Sequence, residues 1–225
     1  MNTNEAELTS LQLLRDMQAE LRDALNVLGG RQADGLLQRY PFYSAAFINR
    51  AVEGYIYLRE SGRFDASKLL VRPALEAFIR VQAIRKTPEL MFRIVFTEFQ
   101  EDKKCVRLSN RPDIINKLQI IERRWQKFRQ AYQSQYPKHS LTEEKLDLWS
   151  AAKSVGLDGY YNSHYRFYCH FTHATFRAST GDLNDFEVED NRTMTRCAFA
   201  AVDSLNFVGA PAPNLPELKR RLSSK

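Results

Sequence analysis

The stretch Lys68-Leu69-Leu70-Val71-Arg72-Pro73-Ala74-Leu75-Glu76-Ala77-Phe78-Ile79-Arg80 decides the fold. Leu69, Leu70, Val71, Ala74, Leu75, Phe78 and Ile79 make it apolar nearly all round, the pattern of a helix packed inside a bundle. Arg72, Glu76 and Arg80 recur every fourth residue and so share one face of that helix. Charge on a core helix must be paired, because an unpaired buried ion is strongly destabilising. Two readings stay open: an ion-paired stripe at the helix surface, or a pocket faced by Arg72 and Glu76. Pro73 lacks an N–H and is expected to kink the helix.

Helical periodicity continues on both sides. Thr3 or Asn4 caps a first helix through about Leu28, closed by Gly29 and Gly30; Leu11, Leu14, Leu21 and Leu25 keep its apolar spacing. Pro41 opens a second helix, Phe42 to Ser61. Asp65 caps the third, which runs to Lys86 before the Thr87-Pro88 break. Further helices are expected over Glu89–Leu108, Asp113–Gln135, Leu141–Val155, Asp158–Ser179 and Arg192–Val208, with an acidic linker from Asp182 to Asp190. No alternating stretch rich in valine and isoleucine competes. The expected architecture is all-α, an irregular antiparallel bundle of about seven to eight helices. It forms one domain over residues 1–208, and a proline-containing basic tail, 209–225, is expected to be mobile.

With 44% hydrophobic and 12% aromatic residues, the 225-residue chain can bury a sizeable core. No apolar run approaches the roughly 18 residues that a membrane span needs, so no membrane partner is expected. Met1 to Ser10 is polar and lacks the basic-then-apolar pattern of a secretory signal. Cys105, Cys169 and Cys197 are odd in number and without CxxC spacing, which predicts reduced thiols in a cytoplasmic protein. A net charge of +6 favours a phosphate-rich partner such as RNA, although many basic surfaces bind no nucleic acid.

The late helix is unusual: Tyr160-Tyr161-Asn162-Ser163-His164-Tyr165-Arg166-Phe167-Tyr168-Cys169-His170-Phe171-Thr172-His173-Ala174-Thr175-Phe176-Arg177. It holds three of the four histidines of the chain, on an aromatic body. At about 100° per residue, Asn162, Arg166, His170, His173 and Arg177 fall in one stripe, and His164 falls off it. Histidine is the usual general acid or base near neutral pH, and arginine grips phosphate through two parallel hydrogen bonds. The stripe is therefore a candidate for moving a proton at a bound phosphodiester. The competing reading is a set of packed, satisfied core histidines. A zinc site from His170, His173 and Glu76 is a third, but no second ligand pair stands at metal-binding spacing, so no metal and no cofactor is assigned. Glu122 to Arg129 is basic with Trp125 and Phe128 interleaved, the pattern of a solvated face over two core aromatics. No glycine-rich phosphate loop, GxSxG or HExxH motif is present.

Arg166 to His173 is an R-x6-H spacing on a late helix, and it resembles the R-x4–6-H motif of HEPN ribonucleases (the higher eukaryote and prokaryote nucleotide-binding superfamily). Phe167 stands where those motifs usually carry a polar residue. The chain also resembles an uncharacterised family of bacterial helical proteins over about residues 40 to 208. Those carry RPxxE on an early helix, here Arg72 to Glu76, and a late helix with Tyr165, Cys169 and His173. The HEPN resemblance implies a metal-independent endoribonuclease from a bacterial toxin or phage-defence system. It further implies a homodimer and an antitoxin or other defence partner. It gives Arg166 the phosphate contact and His173 the proton transfer, with His170 assisting. Glu76 and Arg72 would orient the histidine or stabilise charge, and Asn162 and Arg177 would touch the substrate. The alternative is a non-catalytic helical interaction or regulatory subunit, in which the stripe is a polar network that fixes helix register.

Overall fold

A computed structural model describes residues 3–29, 35–109, 113–172, 187–207, 209 and 214–223. Among them 85% are helical and none lies in a strand, so the all-α bundle holds. The long helices are α1 (Thr3–Gly29), α2 (Leu36–Glu60), α4 (Val71–Lys86), α5 (Leu90–Leu108), α6 (Ile114–Gln135) and α10 (Glu187–Phe207). Shorter ones are α3 (Phe64–Lys68), α7 (Leu148–Ser154), α8 (Asp158–Tyr160), α9 (Arg166–Thr172) and α11 (Leu215–Ser223). A π-helical turn, Tyr161–Tyr165, joins α8 to α9. No described helix is long and apolar enough to cross a membrane.

The helix that opens the sequence argument is the shared axis of two cores, which is why it is apolar nearly all round. Val71, Ala74 and Leu75 of α4 pack with Leu14, Met17 and Leu21 of α1, Ile48, Val52 and Tyr55 of α2, and Val202 and Leu205 of α10. Two turns on, Ile79, Ala83 and Ile84 pack with Phe92, Phe96 and Phe99 of α5 and Trp125 and Tyr132 of α6. The second core is an aromatic cluster. The Phe92 ring lies 5.1 Å from Trp125 and 5.3 Å from Tyr132, and Phe99 stacks on Trp125 at 5.0 Å. The first is stitched by buried polar groups: Tyr55 donates to Asn191 (2.8 Å), Asn191 donates to Ser10 (2.9 Å), and Tyr168 donates to Asp190.

Several boundaries differ from expectation, each for a physical reason. The third expected helix is two, because Pro73 cannot donate to the Leu69 carbonyl and its ring crowds that oxygen; the chain turns at Leu69 and Leu70 instead. The second helix starts at Leu36 and holds Pro41 inside it. Its orphan N–H groups are met from the far end of α6: Leu36 donates to Gln135 Oε1 (3.1 Å) and Leu37 to the Tyr136 hydroxyl (3.3 Å). The sixth is shortened to α7, capped by Asp147, which accepts from the Ser150 N–H at 2.8 Å. Residues 141–147 instead run irregularly over α5, with Leu146 donating its N–H to Thr97 Oγ1 at 2.8 Å. The end of the acidic linker is already helical in α10, and Asp190 is buried. Where it is described, the basic tail is helical and packed on the bundle: α11 buries Leu215 and Leu218, and Arg221 pairs with Asp16 at 2.7 Å.

Candidate functional site

The charged stripe of α4 meets the late helix at the π turn. There the backbone N–H of Arg166 donates to the Tyr161 carbonyl, five residues back. Inserted turns of this kind occur often at functional sites. Two ring pairs stack along the turn, Tyr160 on His164 (4.0 Å between centroids) and Tyr161 on Tyr165 (4.7 Å).

Tyr165 reaches back to α4. Its hydroxyl donates to Glu76 Oε1 at 3.0 Å and accepts from Arg72 Nη2 at 3.2 Å, and Arg72 Nε donates to Glu76 at 3.2 Å. The Arg72 guanidinium also lies over the Tyr165 ring, 5.4 Å from its centroid. Arg80 continues the row, 3.6 Å from both Glu76 and Glu98, and Tyr40 donates to Glu98 at 3.0 Å. The stripe is ion-paired through Arg72, Glu76 and Arg80, and Glu76 lines a cleft of about 300 Å³ with Arg80, Tyr40 and Tyr43, whereas Arg72, expected to face a pocket with it, is not in that lining. Burial, then the Glu76 carboxylate, pushes the Tyr165 phenol far above its ordinary value, so it remains an O–H donor. Burial opposes the charge on Arg72, but the hydrogen bond to Tyr165 and the neighbouring Tyr165, Cys169 and Glu76 groups outweigh it and raise its pKa.

Arg166 lies just past the turn, exposed, and its side chain makes no hydrogen bond or ion pair with any described residue. Its charge is felt by Tyr161, as is that of Arg72; burial and Cys169 prevail, and the Tyr161 phenol is raised. Tyr161 is thus the common neighbour of the two arginines. Asn162 is exposed, but the wider π turn breaks the 100° spacing that aligned it with Arg166. The side chain of His170, and all of His173 and Arg177, lie outside the described residues.

The histidine set aside by the stripe argument occupies the better-formed site. His164 lines a cavity of about 640 Å³ between α4, α7, the π turn and α10. Its Nε2 pairs with Glu189 Oε1 at 2.9 Å and its Nδ1 with Ser163 Oγ at 2.7 Å. Glu189 also takes Arg196 at 3.1 Å and Arg192 at 3.7 Å. Arg196 lies over the Tyr160 ring, and Tyr160 donates to Thr193 at 3.2 Å. Burial pushes the Tyr160 phenol up to about 12. Phe78, Leu157 and Phe199 give the cavity an apolar wall. One signal for this site was present in the sequence: Glu189, Arg192 and Arg196 stand three and four residues apart, on one helix face.

The hydrogen bond from His164, followed by the charges around it, holds Glu189 below the ordinary 4.5. A lowered carboxylate favours the folded state above that value and loses the contribution as pH falls through its folded pKa. Glu189→Gln is therefore expected to be less stable than wild type at pH 6, by at most about 1 kcal/mol for so exposed a network. The gap should close as pH falls below about 4.5. Thermal melts of both proteins from pH 3 to 6 measure it; a gap that widens on acidification contradicts the assignment.

No curated protein and no solved structure matches the chain. A family model matches residues 38–192, from α2 to the start of α10, and spans Arg72, Glu76, the π turn and Glu189. The chain belongs to that family, described as a family of unknown function (DUF5677).

Proposed function

We propose that this protein is a metal-independent endoribonuclease of HEPN type. The observation that carries the reading is Arg166. It is exposed, it has no carboxylate partner among the described residues, and it adjoins Tyr165, which is bonded to Arg72 and Glu76. An arginine left in that state presents its full donor fork to a phosphate. Arg72, whose charge also acts on Tyr161, adds a second guanidinium nearby, paired to Glu76.

In this reading Arg166 holds the scissile phosphate. His173 takes the proton of the ribose 2′-hydroxyl as its oxygen attacks phosphorus. The 5′-oxygen leaves with a proton, and the upstream fragment ends in a 2′,3′-cyclic phosphate. His170 assists, Glu76 and Arg72 position the histidine, and Asn162 and Arg177 contact the flanking strand. The net charge of +6 favours RNA through counterion release. A cytoplasmic homodimer held in check by an antitoxin or other defence partner belongs to the same reading.

The test is incubation of the purified protein with total RNA and tRNA in EDTA. The expected result is cleavage with cyclic phosphate ends; intact RNA overturns the reading. In that event a second one stands, a non-catalytic interaction subunit. It is favoured by the full engagement of Glu76 with Arg72, Arg80 and Tyr165, which is how a register-fixing network is built.

A further inference from the structure

The cavity beside His164 has no part in that chemistry, and its make-up points to a ligand of its own. At about 640 Å³ it falls within the size range of small-molecule sites. Phe78, Tyr160 and Phe199 supply aromatic surface from three elements. Its charges are not those of an anion site. Glu189 and Asp203 are both at the lining, and Arg196 is already paired to Glu189. Asp203 is likewise paired, to Arg85, so the lining carries no unmatched charge and suits an uncharged ligand.

One polar group is unspent. Gln82 stands one turn after Phe78 on α4, lines the cavity and is half-buried, and its amide has no hydrogen-bond partner among the described residues. A half-buried primary amide offers a donor and an acceptor side by side. The complementary planar edge, acceptor beside donor, is offered by adenine at N7 and N6 and also by the pairing edges of the pyrimidines. Tyr160 is already covered by His164 and Arg196, so Phe78 and Phe199 provide the stacking surface; stacking favours the larger purine ring over a pyrimidine, and the amide orients the base.

We propose that this cavity binds a purine nucleobase of adenine type, stacked against the aromatic wall and read by Gln82. The π turn places it next to the arginines. Tyr160 and His164 border the cavity, while Tyr161 and Tyr165, each one residue on, flank Arg72 and Arg166. A base seated in the cavity and a phosphate at Arg166 are then neighbouring parts of one strand, a step that rests on the ribonuclease reading. Base binding itself does not.

The test separates the two. Adenosine and uridine are titrated against the full chain and against Gln82→Ala, with binding followed by ligand-detected NMR. Adenosine is expected to bind wild type at least tenfold more tightly than uridine, and Gln82→Ala to weaken adenosine at least tenfold while melting as wild type does. Phe199→Leu, which keeps an apolar wall but no ring, is expected to weaken both nucleosides. Absence of adenosine binding, or equal binding by Gln82→Ala, overturns the proposal. So does AMP binding that is equally tight in wild type and Gln82→Ala, which assigns the affinity to the arginines alone. Displacement of adenosine by a short oligoadenylate assigns the base to an RNA strand; adenosine that stays bound assigns it to a free nucleoside. Adenosine binding by a protein that leaves RNA uncut retains the pocket and removes only the ribonuclease.

Discussion

Phe92→Ala is expected to destabilise the fold by about 3–5 kcal/mol, the usual cost of emptying a buried phenylalanine site. Phe92 is fully buried and lies within ring contact of Trp125, Phe128 and Tyr132. Removing it leaves a hole walled by stacked rings, which cannot close together without giving up their own contacts. A domain of this size has roughly 5–15 kcal/mol in total, so much of its stability disappears. Phe92→Leu keeps most of the volume and should cost far less. Denaturant unfolding followed by the fluorescence of Trp125 measures both. A loss under about 1 kcal/mol in Phe92→Ala means that the second core does not hold α5 to α6 as described.

Of this cluster, Phe92 and Tyr132 were not legible in the sequence; Trp125 and Phe128 were, because they stand at helical spacing in an otherwise charged stretch, Glu122 to Arg129. The same holds for α4, whose apolar residues on every side required neighbours on every side. Boundaries set by contacts distant in sequence were not legible. The start of α2 depends on Gln135 and Tyr136, 99 residues from the N–H groups they accept. The docking of α11 depends on the underside of α1 and α10, which no local pattern announces.

The late helix failed in a more instructive way. Treating Tyr160 to Arg177 as uniform placed Asn162 with Arg166 and dismissed His164. The π turn redraws that surface by adding a residue to one turn. It directs Tyr165 onto Glu76 and stacks His164 on Tyr160 beside Glu189. Periodicity assumes a constant angle per residue, and the π turn, which departs from it, is where Tyr165 and His164 meet the polar groups of α4 and α10. The pairing of Arg72 with Glu76 was readable, since both lie on one helix at i, i+4. The third member, Tyr165, was not, because it comes from 89 residues away.

Arg166→Ala is expected to lower RNA cleavage by about 100- to 1,000-fold, the usual cost of removing one preorganised donor from a developing negative charge. Its melting temperature should not move, because Arg166 is exposed and forms no ion pair among the described residues. That combination sets it apart from Arg72→Ala, which strips a partner from both Glu76 and Tyr165 and should lower cleavage and stability together. Arg166→Lys keeps the charge and loses the planar fork, so it should fall between wild type and alanine. In the proposed mechanism the histidine moves the proton and the arginines hold the phosphate, so His173→Ala should remove cleavage altogether while RNA binding persists. Single-turnover cleavage, melting and RNA binding are measured on each variant. If Arg166→Ala cuts at the wild-type rate, the phosphate clamp is elsewhere, whatever His173→Ala does. If it loses cleavage only in step with stability, Arg166 supports the fold, and the π turn is a structural joint between α4 and α10. Lost cleavage at an unchanged melting temperature leaves the clamp as the remaining account.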